Sequence, residues 1–333
     1  MKALFIGGTG TISTAITNLA VDRGIELTLL NRGNNIQDVS KGVRMMQADI
    51  NDEENVKNLL NGMHFDVVAD FIGMIPSQIE RDIRLFSGKT NQYIYISSAS
   101  AYQKPASHYL ITESTPLFNP YWQYSRDKIA CENLLMAAYR ENGFPITIVR
   151  PSHTYGDKSV PVALHGSKGS WQVLDRIRSG KPVIVHGDGL SLWTFTHNTD
   201  FAKAFVGLMN NPHAIGEAVH ITSDESVTWN AAYDTIGRIL GVGVNKVHIA
   251  SDFLTACNPE LGGGLLGDKS NSVVFDNSKI KRLVPEYTAT MRFDQGIKRT
   301  IAYVLGHEEC QIPDPQFDTW CDRVISAYKS IKI

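Results

Sequence analysis

The stretch KALFIGGTGTIS, from Lys2 to Ser13, decides how the rest of the chain reads. Lys2–Ile6 is a short, nearly continuous apolar run, as in a strand covered on both faces. It passes straight into Gly7-Gly8-Thr9-Gly10, after which the pattern becomes helical. Glycines at 7 and 10 let the chain turn tightly and let a pyrophosphate approach backbone N–H groups. The N-terminus of the following helix adds positive potential for that anion. A glycine-rich turn that merely starts a helix is the plainer reading; its place after the first strand of a strand–helix series favours a dinucleotide. Gly7, Thr9, Gly10, Thr11 and Ile12 are the candidate contacts. Ser13 stands where the dinucleotide fingerprint has Gly or Ala, and is expected to hold the helix slightly off the sheet or to bond to the phosphate.

Outward from this turn, apolar runs at Glu26–Leu30, Val43–Gln47, Asp66–Ala69, Gln92–Ile96 and Ile146–Val149 alternate with helix-like stretches. The latter include Thr11–Arg23, Glu53–Asn61, Ser77–Phe86 and Tyr121–Glu141. Such alternation predicts a doubly wound α/β fold with a parallel sheet and right-handed crossovers. Residues 1–156 are assigned to a dinucleotide-binding domain of Rossmann type, joined by strands from about 182–225. Residues 157–333 are assigned mainly to a smaller α/β substrate-binding domain. There, His165–Ser170 and Glu260–Ser272, with glycines at 262, 263, 264 and 267, read as loops. A strand at Pro182–His186, a helix near Thr199–Met209, a strand at Ala218–Ile221 and helices at Trp229–Leu240, Asp276–Leu283 and Phe293–Leu305 complete the pattern.

The second strand ends in Asn31-Arg32-Gly33. A carboxylate at this tip would bond to a ribose 2′-hydroxyl and select NAD; a neutral Asn31 and a cationic Arg32 suit a 2′-phosphate instead. NADP is therefore the expected cofactor, with NAD the alternative, and a plain surface arginine in a turn competes with the reading of Arg32. Asp49, after the third strand, can meet an adenine amino group; Ile50, Phe71 and Lys128, the last toward the nicotinamide ribose, complete the expected cofactor contacts.

Tyr124 and Lys128 are four apart on a predicted helix and share one face, with Asn119 as its expected cap and Pro120 at its first position. A phenol beside an ammonium and a nicotinamide cation is lowered toward neutrality, and so tuned it exchanges a proton with a hydroxyl or carbonyl while a hydride moves. Tyr328 and Lys332 repeat the spacing without partners and read as accidental. What sets Tyr124 apart is Ser97-Ser98-Ala99-Ser100-Ala101-Tyr102 after the fifth strand, where doubly wound sheets bind ligands. Ser98 there can donate to a substrate oxygen, although serines after strands are also ordinary caps and turns.

With these pieces in order, the chain resembles an extended short-chain dehydrogenase/reductase, the family of nucleotide-sugar epimerases and dehydratases. The matching segments are GGTGTIS at 7–13, SSASAY at 97–102, YSRDK at 124–128, RPSHTYG at 150–156, and GDG at 187–189 with TFTHNTD at 194–200. The resemblance implies catalytic Tyr124, Lys128 and Ser98, a C-terminal substrate domain and, in many members, a homodimer built through two helices per subunit. Three departures matter. The acid–base pair of the family's dehydratases is replaced by Ala99 and Ser100, which disfavours dehydration. His153 stands where many members have Asn near a substrate diphosphate. Trp193 and Thr194 stand where an Arg-Asp pair clamps that diphosphate. Ser100, His153 and Trp193 are thus candidate substrate contacts. Trp193 is expected to stack on a flat apolar group or to be a buried aromatic. His153 is read as a substrate ligand, a second proton carrier or a hydrogen-bonded structural residue. Lys168 and His165 are weaker candidates.

The net charge of −2, with no basic run, argues against nucleic acid as a partner. The apolar start, Ala3–Ile6, is too short for a signal-peptide core or a membrane span. Four cysteines without metal-ligand spacing predict no metal site and reduced thiols in a cytoplasmic protein. The expected function is an NAD(P)-dependent oxidoreductase or epimerase acting on a secondary hydroxyl or ketone of a small, sugar-like molecule. A non-catalytic dinucleotide-binding regulatory or RNA-associated protein of the same fold is the alternative.

Overall fold

The computed structural model describes residues 1–33 and 40–330. Seven strands form the central sheet: β1 (Lys2–Ile6), β2 (Glu26–Asn31), β3 (Arg44–Gln47), β4 (Val67–Asp70), β5 (Tyr93–Ile96), β6 (Ile146–Pro151) and β7 (Glu217–Ile221). Their order is β7-β6-β5-β4-β1-β2-β3, and every pairing is parallel. The crossover from β1 to β2 is α1 (Thr11–Asp22); α2 (Glu53–Leu59), α3 (Pro76–Phe86) and α4 (Gln123–Asn142) follow β3, β4 and β5. Alternation along β1 shows why the runs are apolar throughout. Ala3 and Phe5 enter a core with Ile16 and Ala20 of α1, whereas Leu4 and Ile6 enter the opposite core with Val56, Ile79 and Leu135.

The chain returns to this sheet late. The helix Asn198–Leu208 (α5) buries Phe201 and Phe205 on the α1 side, and β7 then pairs with β6, Val219 opposite Val149. Other residues after 157 build a third core around Trp171, Ile177, Val185, Trp193, Phe195, Trp229, Ile297 and Val324. Here the strand Val183–His186 pairs with Lys246–Ile249. No helix among the described residues is long and apolar enough to cross a membrane.

Two expectations fail, for related reasons. Asn119 and Pro120 do not open α4, which begins at Gln123 with Trp122 as the flanking residue. The Asn119 amide is taken up elsewhere, donating to the Ser100 carbonyl at 2.9 Å and the Gly267 carbonyl at 2.7 Å. Glu260–Ser272, expected as a loop, contains the helix Leu261–Gly264 and a single π-helical turn, Leu265–Lys269. Its glycines serve close packing rather than flexibility: a Cβ on Gly263 would lie 2.3 Å from Trp122 Cδ1.

Candidate functional site

The glycine turn lies at the C-terminal edge of the sheet where the strand order reverses between β1 and β4, the usual ligand position in this architecture. Gly7 and Gly8 have φ of +96° and +91°, which other residues rarely adopt. A Cβ on Gly8 would also lie 2.6 Å from Leu29 Cδ2. Gly10 is extended, and a Cβ there would meet only Ser13 Oγ at 3.6 Å, so its bare Cα leaves open space against the first turn of α1. That opening fits a pyrophosphate on the helix N-terminus. Ser13 Oγ accepts the Gly10 N–H at 2.8 Å and so serves the turn itself. The Thr17 hydroxyl donates to the Gly8 carbonyl at 3.0 Å.

Thr9, Gly10, Thr11 and Ile12 line a cleft of about 1220 Å³ that continues past Ser98, Ser100 and Tyr124 to His153 and Trp193. The remaining expected cofactor contacts, Gly7, Asn31, Arg32, Asp49, Ile50, Phe71 and Lys128, are not among the residues that line it. Asn31 Oδ1 accepts the Gly33 N–H at 2.9 Å, and Arg32 is exposed and forms no ion pair among the described residues. Asp49 is exposed, and Ile50 is buried in the α2-side core. Phe71 packs its ring against Phe5 at 5.2 Å, beside Gly7.

Tyr124 and Lys128 share the buried side of α4, but they do not bond to each other. Lys128, 2% exposed, donates to the Gly73 carbonyl at 2.6 Å and the Ile96 carbonyl at 2.8 Å, and its ammonium stands 5.7 Å from the Tyr124 ring centroid. Burial pulls this ammonium down to about 8, against the opposing pull of Asp70. Burial raises the Tyr124 phenol, hydrogen bonding with Ser98 opposes the rise, and Asp268 adds to it. Ser98 Oγ lies 2.8 Å from Ser100 Oγ, which accepts from the buried Ser125 hydroxyl at 2.8 Å. Ser98 also caps the short turn Ala99–Ala101, so it is both a cap and a cleft residue.

The far wall differs most from expectation. Trp193 is 2% exposed, packed at 5.3 Å on Trp229, so it offers no open stacking face. Its indole N–H donates to His153 Nδ1 at 3.1 Å. Burial, with Lys269 and His165 nearby, pulls His153 down to about 3, which removes it as a proton carrier near neutral pH. His165 lines the cleft, whereas Lys168 does not. Lys332, of the second tyrosine–lysine spacing, lies outside the described residues. Three residues of this site went unread in the sequence: Trp122, whose ring lies 4.9 Å from that of Tyr124, and Asp268 and Lys269, from the segment taken as a loop. Proximity to Tyr124 was a signal for Trp122; nothing local marked the other two.

Residues 3–222 match the family described as NAD dependent epimerase/dehydratase. The chain is 24% identical over 86% of its length to 2'-dehydrokanamycin reductase of Streptomyces kanamyceticus, covering 80% of that protein. It is 28% identical over 69% of its length to chloroplast stem-loop binding protein of 41 kDa b of Arabidopsis thaliana, covering 60% of that protein. Among solved structures, epimerase Mth375 of Methanothermobacter thermautotrophicus superposes with a TM-score of 0.76 at 16% identity, over 92% of this chain and 93% of that one. The UDP-glucuronic acid 4-epimerase of Bacillus cereus, in complex with NAD, gives 0.73 at 18%, over 92% and 99%.

Proposed function

The chain belongs to the NAD dependent epimerase/dehydratase family, and on that premise we propose that it is an NAD(P)-dependent oxidoreductase or epimerase acting on a secondary hydroxyl or ketone of a sugar-like substrate. One observation carries the reading: Tyr124 and Ser98 open onto the same cleft as the glycine turn, with Lys128 fixed beneath them. The nicotinamide, when bound, supplies the hydride acceptor or donor. Gly7, Gly8, Gly10 and the first turn of α1 would hold its pyrophosphate, and Arg32 at the tip of β2 would favour the 2′-phosphate of NADP. Ser98 holds the reacting oxygen, and Tyr124 takes its proton on oxidation or returns it on reduction. Lys128 keeps a buried positive charge under the ring, favouring the phenolate. The relative named 2'-dehydrokanamycin reductase supports reduction rather than epimerisation. We assign residues 1–156, with β7 and α5, to cofactor binding and most of 157–333 to the substrate, in a cytoplasmic homodimer.

Tyr124→Phe tests the mechanism. Turnover is expected to fall by roughly 10²–10⁴, with NADPH affinity and melting temperature preserved. Near-normal kcat in that variant removes Tyr124 from the chemistry. A second reading, a dinucleotide-binding protein associated with RNA, is favoured only by the stem-loop binding relative. The net charge of −2 opposes it. Sub-micromolar, salt-sensitive binding of a stem-loop RNA would put it first.

A further inference from the structure

Asp268 is a cleft carboxylate with no part in the proton and hydride transfers above. It sits on the π-helical turn Leu265–Lys269, whose backbone is fixed at Gly267 through the Asn119 amide. The same amide holds the Ser100 carbonyl, so one side chain ties Asp268 to the turn that carries Ser98. Trp122, two residues before Tyr124, closes against Gly263 and Gly267 from the other side. Asp268 is thereby registered to both candidate catalytic elements across more than a hundred residues of chain.

Behind it stands Lys104, its side chain fully buried, with Nζ 3.8 Å from Asp268 Oδ1 and no hydrogen-bond partner among the described residues. A buried ammonium without a hydrogen bond is costly. Lys104 does not line the cleft, so it cannot clamp a ligand phosphate; what it does is oppose the protonation of Asp268 that burial promotes. Lys269, the next residue, acts in the same direction. Asp268 and Lys269 both line the cleft, with Lys104 held behind the carboxylate.

We infer that Asp268 is the residue that recognises substrate, accepting from a hydroxyl or ammonium of the sugar. This rests on the oxidoreductase or epimerase reading given above. A carboxylate there accepts from a hydroxyl and more strongly from an ammonium. It repels a phosphate. The substrate class is therefore an unphosphorylated polyol or amino sugar.

Calorimetry on the full chain saturated with NADP⁺ tests this. The probes are methyl glycosides of the common hexoses, their amino and deoxy counterparts, and UDP-glucose. Hydroxy or amino glycosides are expected to bind more tightly than the deoxy compounds and UDP-glucose. Asp268→Asn should weaken the preferred glycoside by about 10–100-fold, the loss of one charge-assisted hydrogen bond. Its NADPH affinity should stay at the wild-type value, while its melting temperature falls because the buried Lys104 loses its counter-charge. Lys104→Met, which removes only the charge behind Asp268, should move the acidic limb of glycoside binding to higher pH. Wild-type glycoside affinity in Asp268→Asn overturns the inference, as does tighter binding of UDP-glucose than of every glycoside, or no glycoside binding at all. Persistence of turnover in Tyr124→Phe instead removes the underlying reading, and leaves these binding results to be judged separately.

Discussion

His153 shows how one atom can decide a residue's role. Its Nδ1 accepts the Trp193 indole N–H, so the ring is engaged on the buried side and held neutral. His153→Phe leaves that indole N–H without an acceptor and is expected to lower stability by about 1–3 kcal/mol in denaturant titration. His153→Gln, which keeps an acceptor, should recover at least half of the loss; equal loss in both would show that packing, not the bond, matters. Arg32 offers a cleaner contrast. Arg32→Ala should weaken NADPH by about 1.5–3 kcal/mol and leave NADH nearly unchanged in fluorescence titrations, whereas equal loss for both would make Arg32 a turn residue. Tyr124, Lys128 and Ser98 were legible because their spacing and their place after a strand are local facts. Asp268 was not, because its meaning comes from Asn119, 148 residues from the Gly267 carbonyl it holds.

Among elements, the segment Leu261–Lys269 carries the clearest lesson. Glycine marks a turn and also a close approach, and the sequence does not distinguish them; four glycines in six residues read as a loop and are packed helix instead. The alternating strands and helices of the first half were legible because each is covered by its neighbours in the chain, and their bounds agree to within a few residues. Gly263→Ala is expected to push the segment off Trp122, costing about 1–3 kcal/mol. It should also raise KM for the sugar while leaving NADPH binding intact, since the displaced wall carries Asp268 and not the glycine turn. An unchanged KM with full loss of stability would detach this element from substrate binding.

At the scale of the molecule, several histidines are folded in as neutral rings. Burial holds His153 at about 3 and His186 at about 4, against an ordinary 6.5, and lowers His220 as well. For a base whose folded value is depressed, the unfolded chain binds more protons between the two values, so stability rises with pH across that window. Their contribution is complete above about pH 6.5 and is lost as pH falls toward the folded values, on the order of 3 kcal/mol for each of His153 and His186 by pH 4. Melting temperature should therefore decline steadily from pH 6.5 to 4, and His186→Gln should flatten the slope. A slope unaffected by that change would assign the acid sensitivity to other groups.

The late return of β7 to the sheet has a consequence for synthesis. On the ribosome β6 emerges with its outer edge bare, and the strand that covers it lies roughly 65 residues further on, a wait of several seconds at ordinary elongation rates. During that interval Ile146, Ile148 and Val149, fully buried in the finished protein, border an unpaired edge suited to joining a second nascent chain. A gene cut after residue 156 makes that interval permanent, so such a fragment should be recovered as aggregate rather than as a working nucleotide-binding half.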